Sequence, residues 1–246
     1  MNSLQFLATC LLLLCSAATL FADEQKDVTV IIPDDEKYRY VVDSRQAPEL
    51  TSWVRQELKP VIIEWYPKMV DLMPSKGYTA PTEVFLEFKP DLGGPPAYAM
   101  GNRISMSIPF FKAQLEGEAK GCVIHELVHV IQNFGLARRN PEAKPTPGWI
   151  TEGLADYVRW FIYEPEKKGA LITERNIDSA RHDASYRVSA NFIDWVTREH
   201  DENLLEKLNA SAREGRYQVQ LWEHWTGKSL KELADLWRQA KRDNLQ

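Results

Sequence analysis

Between His125 and His129 the chain reads His-Glu-Leu-Val-His, and no other stretch limits its chemistry as much. On an α-helix residues four apart share a face, with Cβ atoms about 6 Å apart, so both imidazoles can turn a nitrogen onto one ion. Glu126 is rotated about 100° from His125, which sets its carboxylate beside the ion, where it can take a proton from water held there. A hydrolytic zinc site needs a third protein ligand and an open fourth position. Glu152 is the candidate, in the run Trp149 to Val158, which also has helical character. Asp156 follows one turn later on the same face, so it can accept the second N–H of His125 and orient that ring. Two carboxylates one turn apart on an otherwise apolar helix imply that something cationic meets them.

The helix carrying His125 is expected over residues 116–134, with Gly135 as its stop. Val123, Ile124, Leu127, Val128, Val130 and Ile131 point in nearly all directions around it, which marks a central, buried helix. Upstream, β-branched and aromatic runs predict strands at 28–32, 38–42 and 83–88, with a long amphipathic helix over 47–73 bent at Pro60. Residues 97–100 and 103–108 read as a hairpin closed by Gly101 and Asn102. Such a hairpin can pair with the backbone of an extended substrate, which would bring Asn102 and Ser105 to that substrate, or it can simply complete the sheet. Thr146 and Pro147 suggest a cap and first helical residue for a helix running to Glu164. Residues 167–183 carry no clear pattern. Helical periodicity returns over 184–199, 202–214, 217–225 and 229–242, the last opened by a capping-box pattern from Ser229 to Glu232. The fold class expected is α+β: a small mixed or antiparallel sheet in the first half, the His125 helix at the centre, and a helical second half.

With 246 residues, 44% of them hydrophobic, the chain can bury a full core. A net charge of −5 offers no basic footprint, which argues against nucleic acid and against electrostatic attachment to an anionic membrane. Leu4 to Leu14 is a short apolar run followed by Ser16, Ala17, Ala18 and Ala22, the pattern of a cleaved secretory signal over residues 1–22. The expected organisation is then one catalytic domain over 23–246, an α/β half to about 135 and a helical half from about 146. Signal removal would leave Cys122 as the sole cysteine, a small buried hydrophobe with no disulfide partner. An exported protein, secreted or periplasmic and without stable membrane insertion, is the expectation.

The runs His125 to Gln132 and Trp149 to Arg159, with Ala97 to Asn102 and Tyr186 to Trp195, resemble the plant basic secretory protein family, the peptidases of plants and bacteria. The zinc-site arrangement is similar to that of gluzincins, in which a Glu on a second helix is the third ligand, and this likeness implies a zincin-like fold. The resemblance implies one Zn2+ held by His125, His129 and Glu152, with Glu126 as base and Asp156 behind a histidine. It implies a peptide or protein substrate. The chain departs from the family name in being acidic. It also lacks, in Ala99 to Asn102, the carboxylate with which gluzincin aminopeptidases hold a free amine, which favours internal cleavage. A further donor is needed for the oxyanion: Tyr186 is preferred over His182 and Tyr157 because it opens a helix after an irregular stretch. His182, His200 and His224 read as surface residues. The rival readings are a secreted binding protein with a structural zinc and a zinc hydrolase acting on something other than peptides.

Overall fold

The computed structural model describes residues 26–139 and 141–245. The proposed signal at 1–22 lies outside the described residues.

Strands β1 (Val28–Ile31), β2 (Arg39–Asp43), β3 (Glu83–Lys89), β4 (Ala97–Met100) and β5 (Arg103–Ser107) form one mixed sheet in the order β1-β2-β3-β5-β4. β2, β3 and β5 run parallel, while β1 and β4 pair antiparallel with their neighbours. A parallel β2–β3 pair needs a crossover. It is supplied by a long helix, α1 (residues 48–72), which packs on the inner face of the sheet.

Strand alternation puts Tyr40, Val42, Val84, Leu86, Phe88, Ile104 and Met106 on that inner face, all buried. Tyr66 of α1 meets Tyr38 and Tyr40 edge-on at centroid distances of 5.1 and 5.5 Å, and its hydroxyl donates to Pro81 O. The bend expected at Pro60 takes the form of a π-helical turn over Val54–Leu58. Pro60 has no N–H for the Gln56 carbonyl, and the wider turn, in which Lys59 N–H reaches Val54 O, relieves that conflict.

The hairpin forms as the spacing predicts, with Gly101 at φ 61° in its two-residue turn. β4 is thereby the edge strand and β5 lies one strand inside. After a short helix α2 (Ile108–Gln114) comes the central helix α3 (Ala119–Gln132), buried on almost every side. It starts three residues later than expected, and its stop is Asn133, in the left-handed region at φ 44°, rather than Gly135. Asn tolerates that conformation because its short polar side chain bonds locally.

The next helix, α4, runs over residues 148–163 as an α-helix (Gly148–Tyr157) continued by a π turn (Val158–Tyr163). Pro147 is its N-cap rather than its first helical residue, with ψ at 138°. Residues 167–183, unassigned from sequence, follow a 3-10 turn at Pro165–Lys167 and contain another at Ile177–Ser179. Four helices close the chain: α5 (Tyr186–Glu199), α6 (Leu204–Arg213), α7 (Gln220–Thr226) and α8 (Leu230–Asp243). Ser185 caps α5 and the Ser229/Glu232 capping box opens α8.

α4 and α5 pack closely because residue 153 is glycine. A Cβ there would lie 2.8 Å from Ser189 Cβ. Beneath them Trp149, Phe192, Trp222 and Trp237 form an aromatic core. The whole is a mixed α+β fold with a small mixed sheet. Cys122 is buried, and among the described residues no helix is long and apolar enough to cross a membrane.

Candidate metal centre and active site

α3 brings His125, Glu126 and His129 to the wall of a cleft, and α4 lays Glu152 across from them. His125 Nδ1 meets Asp156 Oδ1 at 2.8 Å, and His129 Nδ1 meets Gln132 Oε1 at 2.7 Å. Gln132 donates its own Nε2–H to Thr151 O at 2.8 Å, so its oxygen is the atom facing His129. Both Nδ1 atoms are therefore donors, and both Nε2 atoms carry bare lone pairs.

Those two Nε2 atoms face each other at 3.0 Å, with Glu152 Oε2 at 3.2 and 3.4 Å from them. Three acceptors so close repel one another unless a cation lies between. Donors bound to a tetrahedral ion at about 2.0–2.1 Å stand about 3.3 Å apart, the spacing seen here. The His125, His129 and Glu152 group can hold a metal ion.

Charge points the same way. With protons on the two Nε2 atoms in place of an ion, hydrogen bonds from His125 and His129 overcome burial to hold Glu152 down at about 2. His125 is raised to about 9 by Asp156 and then Glu152, despite burial. A cluster of three carboxylates around two imidazoles draws positive charge, as a proton or as a metal.

Glu126 is 5% exposed and faces the backbone of Ala99 on β4, while its Oε2 is buried with no hydrogen-bond partner among the described residues. Burial pushes its pKa up, though the adjacent imidazoles oppose this. A buried acceptor left open beside the ligand atoms is placed to take a proton from water or substrate.

Tyr186 opens α5 and stacks on His125 at 6.2 Å, half-exposed in the cleft. The Glu152 charge, more than burial, raises its pKa, so its phenol keeps its proton and can donate. The other two donor candidates point elsewhere. His182 is packed on Trp149 and Phe192, where burial lowers its pKa, and Tyr157 is buried against Phe161. His182 is thus not a solvated loop residue, and His200 packs edge-on against Trp195 rather than standing on the surface.

Asn102 and Ser105 are not brought to the cleft. Asn102 Nδ2 donates to Glu83 O, closing the hairpin onto β3, and Ser105 Oγ donates to Glu87 Oε1 on the outer face of the sheet. β4 separates β5 from the cleft, so the substrate contact expected of these two residues is withdrawn.

The cleft has a volume of about 1200 Å3, bordered by β4, α3, α4 and the first turn of α5. That exceeds the usual small-ligand site, roughly 300–1,000 Å3, and suits several residues of an extended chain.

A comparison of the sequence with protein families matches residues 97–239 to the family described as "Peptidase of plants and bacteria". The chain belongs to this family. Searches of curated proteins and of solved structures returned no match. In this member of the peptidases of plants and bacteria the match begins at β4 and ends within α8, so every residue of the centre falls inside it. The family supports a peptidase-type function and a peptide or protein substrate.

Sequence reasoning missed Gln132, although its place three residues after His129 puts it on the same helical face. It also missed Arg159, Arg187 and Glu118, which line one end of the cleft and whose approach no local pattern signals.

Proposed function

We propose that this chain is an exported zinc-dependent peptidase of zincin-like architecture that cleaves within peptide chains. The observation that carries the reading is the triangle of His125 Nε2, His129 Nε2 and Glu152 Oε2, with the open Glu126 Oε2 beside it. Zinc is the ion that best suits two imidazoles and one carboxylate with a position left over. When bound, it would acidify a water and polarise the peptide carbonyl.

The chain's own residues do the rest. β4 offers its free edge to an extended substrate. Glu126, facing the edge of β4, takes the water proton and returns it to the leaving amine. The Tyr186 phenol donates to the oxygen that gains charge. Asp156 and Gln132 keep both imidazoles in the tautomer that leaves Nε2 free. The apolar leader over residues 4–14 supports export.

The test is metal analysis of the purified protein combined with cleavage profiling of a peptide library, with and without chelator. About one zinc per chain is expected, with chelator-sensitive cuts. Glu126→Gln is expected to keep the metal and lower cleavage by about 100- to 10,000-fold. Bound metal with no peptide cleaved would point to a structural ion and remove the peptidase reading.

A further inference from the structure

At the end of the cleft nearest the start of α3, two arginines share one carboxylate. Arg159 Nη2 donates to Glu118 Oε2 at 2.9 Å, and Arg187 Nη2 donates to Glu118 Oε2 and Oε1 at 2.9 and 3.1 Å. Arg159 Nε also donates to Glu164 Oε1 at 2.9 Å, and Lys167 pairs with Glu164 at 2.8 Å. Both guanidinium groups lie over the ring of Trp160, at 4.0 and 4.5 Å.

This arrangement is built rather than incidental. Gly121 of α3 leaves room for it, since a Cβ there would lie 2.3 Å from Glu164 Oε1 and 2.6 Å from Arg159 Nε. The π turn of α4 carries Arg159 and Trp160. Gly169, which accepts from Arg187 Nη1 at 3.3 Å, lies flat on Trp160.

Three cations here face two carboxylates, which leaves one positive charge in excess. Glu118 accepts three hydrogen bonds from the two arginines, whereas Arg187 is 45% exposed and, among the described residues, its Nε donates to nothing. Asp156, another carboxylate on the cleft wall, is taken by His125. An anion arriving here would find a fixed, half-open guanidinium.

We propose that Arg187, held by Glu118 and stacked on Trp160, is a carboxylate-binding subsite that makes the cleft prefer peptides with an acidic side chain, or a free C-terminal carboxylate, close to the cut. The inference takes its position in the cleft from the peptidase reading. Glu118 precedes His125 by seven residues, about 10 Å along the helix, the length of about three extended residues. The recognised carboxylate therefore lies within about three residues of the scissile bond.

The test uses the zinc-loaded protein and peptides with both ends blocked, identical except for Glu or Gln at one position on either side of the cut. A second set replaces the blocked C-terminus by a free one and separates the terminal from the side-chain source. The wild type is expected to favour the Glu peptide, or the free terminus, by about tenfold in kcat/KM, a preference that shrinks as salt rises. In Arg187→Gln the ratio should fall to about one, and in Arg187→Glu it should turn toward Lys-containing peptides. Binding of the same labelled peptides to the Glu126→Gln protein should show the same preference without turnover. Cleavage with a ratio near one in the wild type, or a preference that survives Arg187→Gln in a folded variant, overturns the subsite and leaves the peptidase reading standing. No cleavage together with a tenfold binding preference removes the peptidase reading and keeps the subsite.

Discussion

At the scale of single residues, Gln132 shows how much depends on which atoms a side chain offers. Its amide accepts from His129 and donates to Thr151 O, the carbonyl just before Glu152, so one group ties the ring to the helix that carries Glu152. A carboxylate could accept from His129 but would face the Thr151 carbonyl without a proton to give. Gln132→Glu is therefore expected to weaken zinc binding by about 10- to 100-fold, as is Gln132→Leu, measured by competition with a chelator of known affinity. An unchanged affinity in both variants would show that the strut has no role in holding the ion. Gln132 stands three residues from His129 and its reach to that ring was legible in the spacing; its second bond, to another helix, was not.

At the scale of elements, the centre depends on how closely helices approach. Gly153 stands next to Glu152 at the α4–α5 contact, where an added methyl meets Ser189 Cβ at 2.8 Å and Ile193 Cδ1 at 3.1 Å. Gly153→Ala is expected to cost about 1–3 kcal/mol in denaturant unfolding by overpacking, with zinc affinity reduced as Glu152 is displaced. The other end of α3 is held by Arg213 of α6, which is buried and donates to Gln132 O, Ile131 O, Met73 O and Ser75 Oγ at 2.7–3.1 Å while lying 3.6 Å over Tyr78. A cation at a helix C-terminus satisfies its free carbonyls and its dipole. Arg213→Met should cost about 1–3 kcal/mol, because it leaves the Gln132 carbonyl unpaired, while Ile131 O and Met73 O keep bonds from Tyr78 and Asn209. Urea titration reads that loss, and a midpoint unchanged from the wild type would contradict it. The helices themselves were readable from their apolar spacing. Both π turns were not: one answers Pro60 and the other carries Arg159, and π turns leave little trace in periodicity.

At the scale of the whole molecule, the ion would join the helix next to the sheet to the helical half, since His125 and His129 lie on α3 and Glu152 on α4. A ligand that binds only the folded state stabilises it by mass action, about 2.7 kcal/mol at a hundredfold excess over Kd. For a chain of this size, saturating zinc should raise the thermal midpoint by about 5 to 10 °C over the chelated protein. Calorimetry with zinc and with chelator measures this directly, and a midpoint indifferent to chelation would exclude an ion bridging the two helices.

What the sequence determined by itself is local. The four-residue spacing of His125 and His129, the rotation of Glu126 to their flank, the one-turn separation of Glu152 and Asp156, and the Ser229 capping box all follow from helix geometry. The tertiary structure decided which distant groups meet. Glu152 lies 27 residues from His125, and Arg187 lies 69 from Glu118; only the packing of α4 and α5 on α3, allowed by Gly121 and Gly153, brings them together. It also decided what stays apart: Asn102 and Ser105 belong to the hairpin as expected, yet the sheet order puts β4 between β5 and the cleft. Periodicity tells which face of an element is apolar, but the neighbour that face meets is set by long-range packing, which no short window of sequence contains.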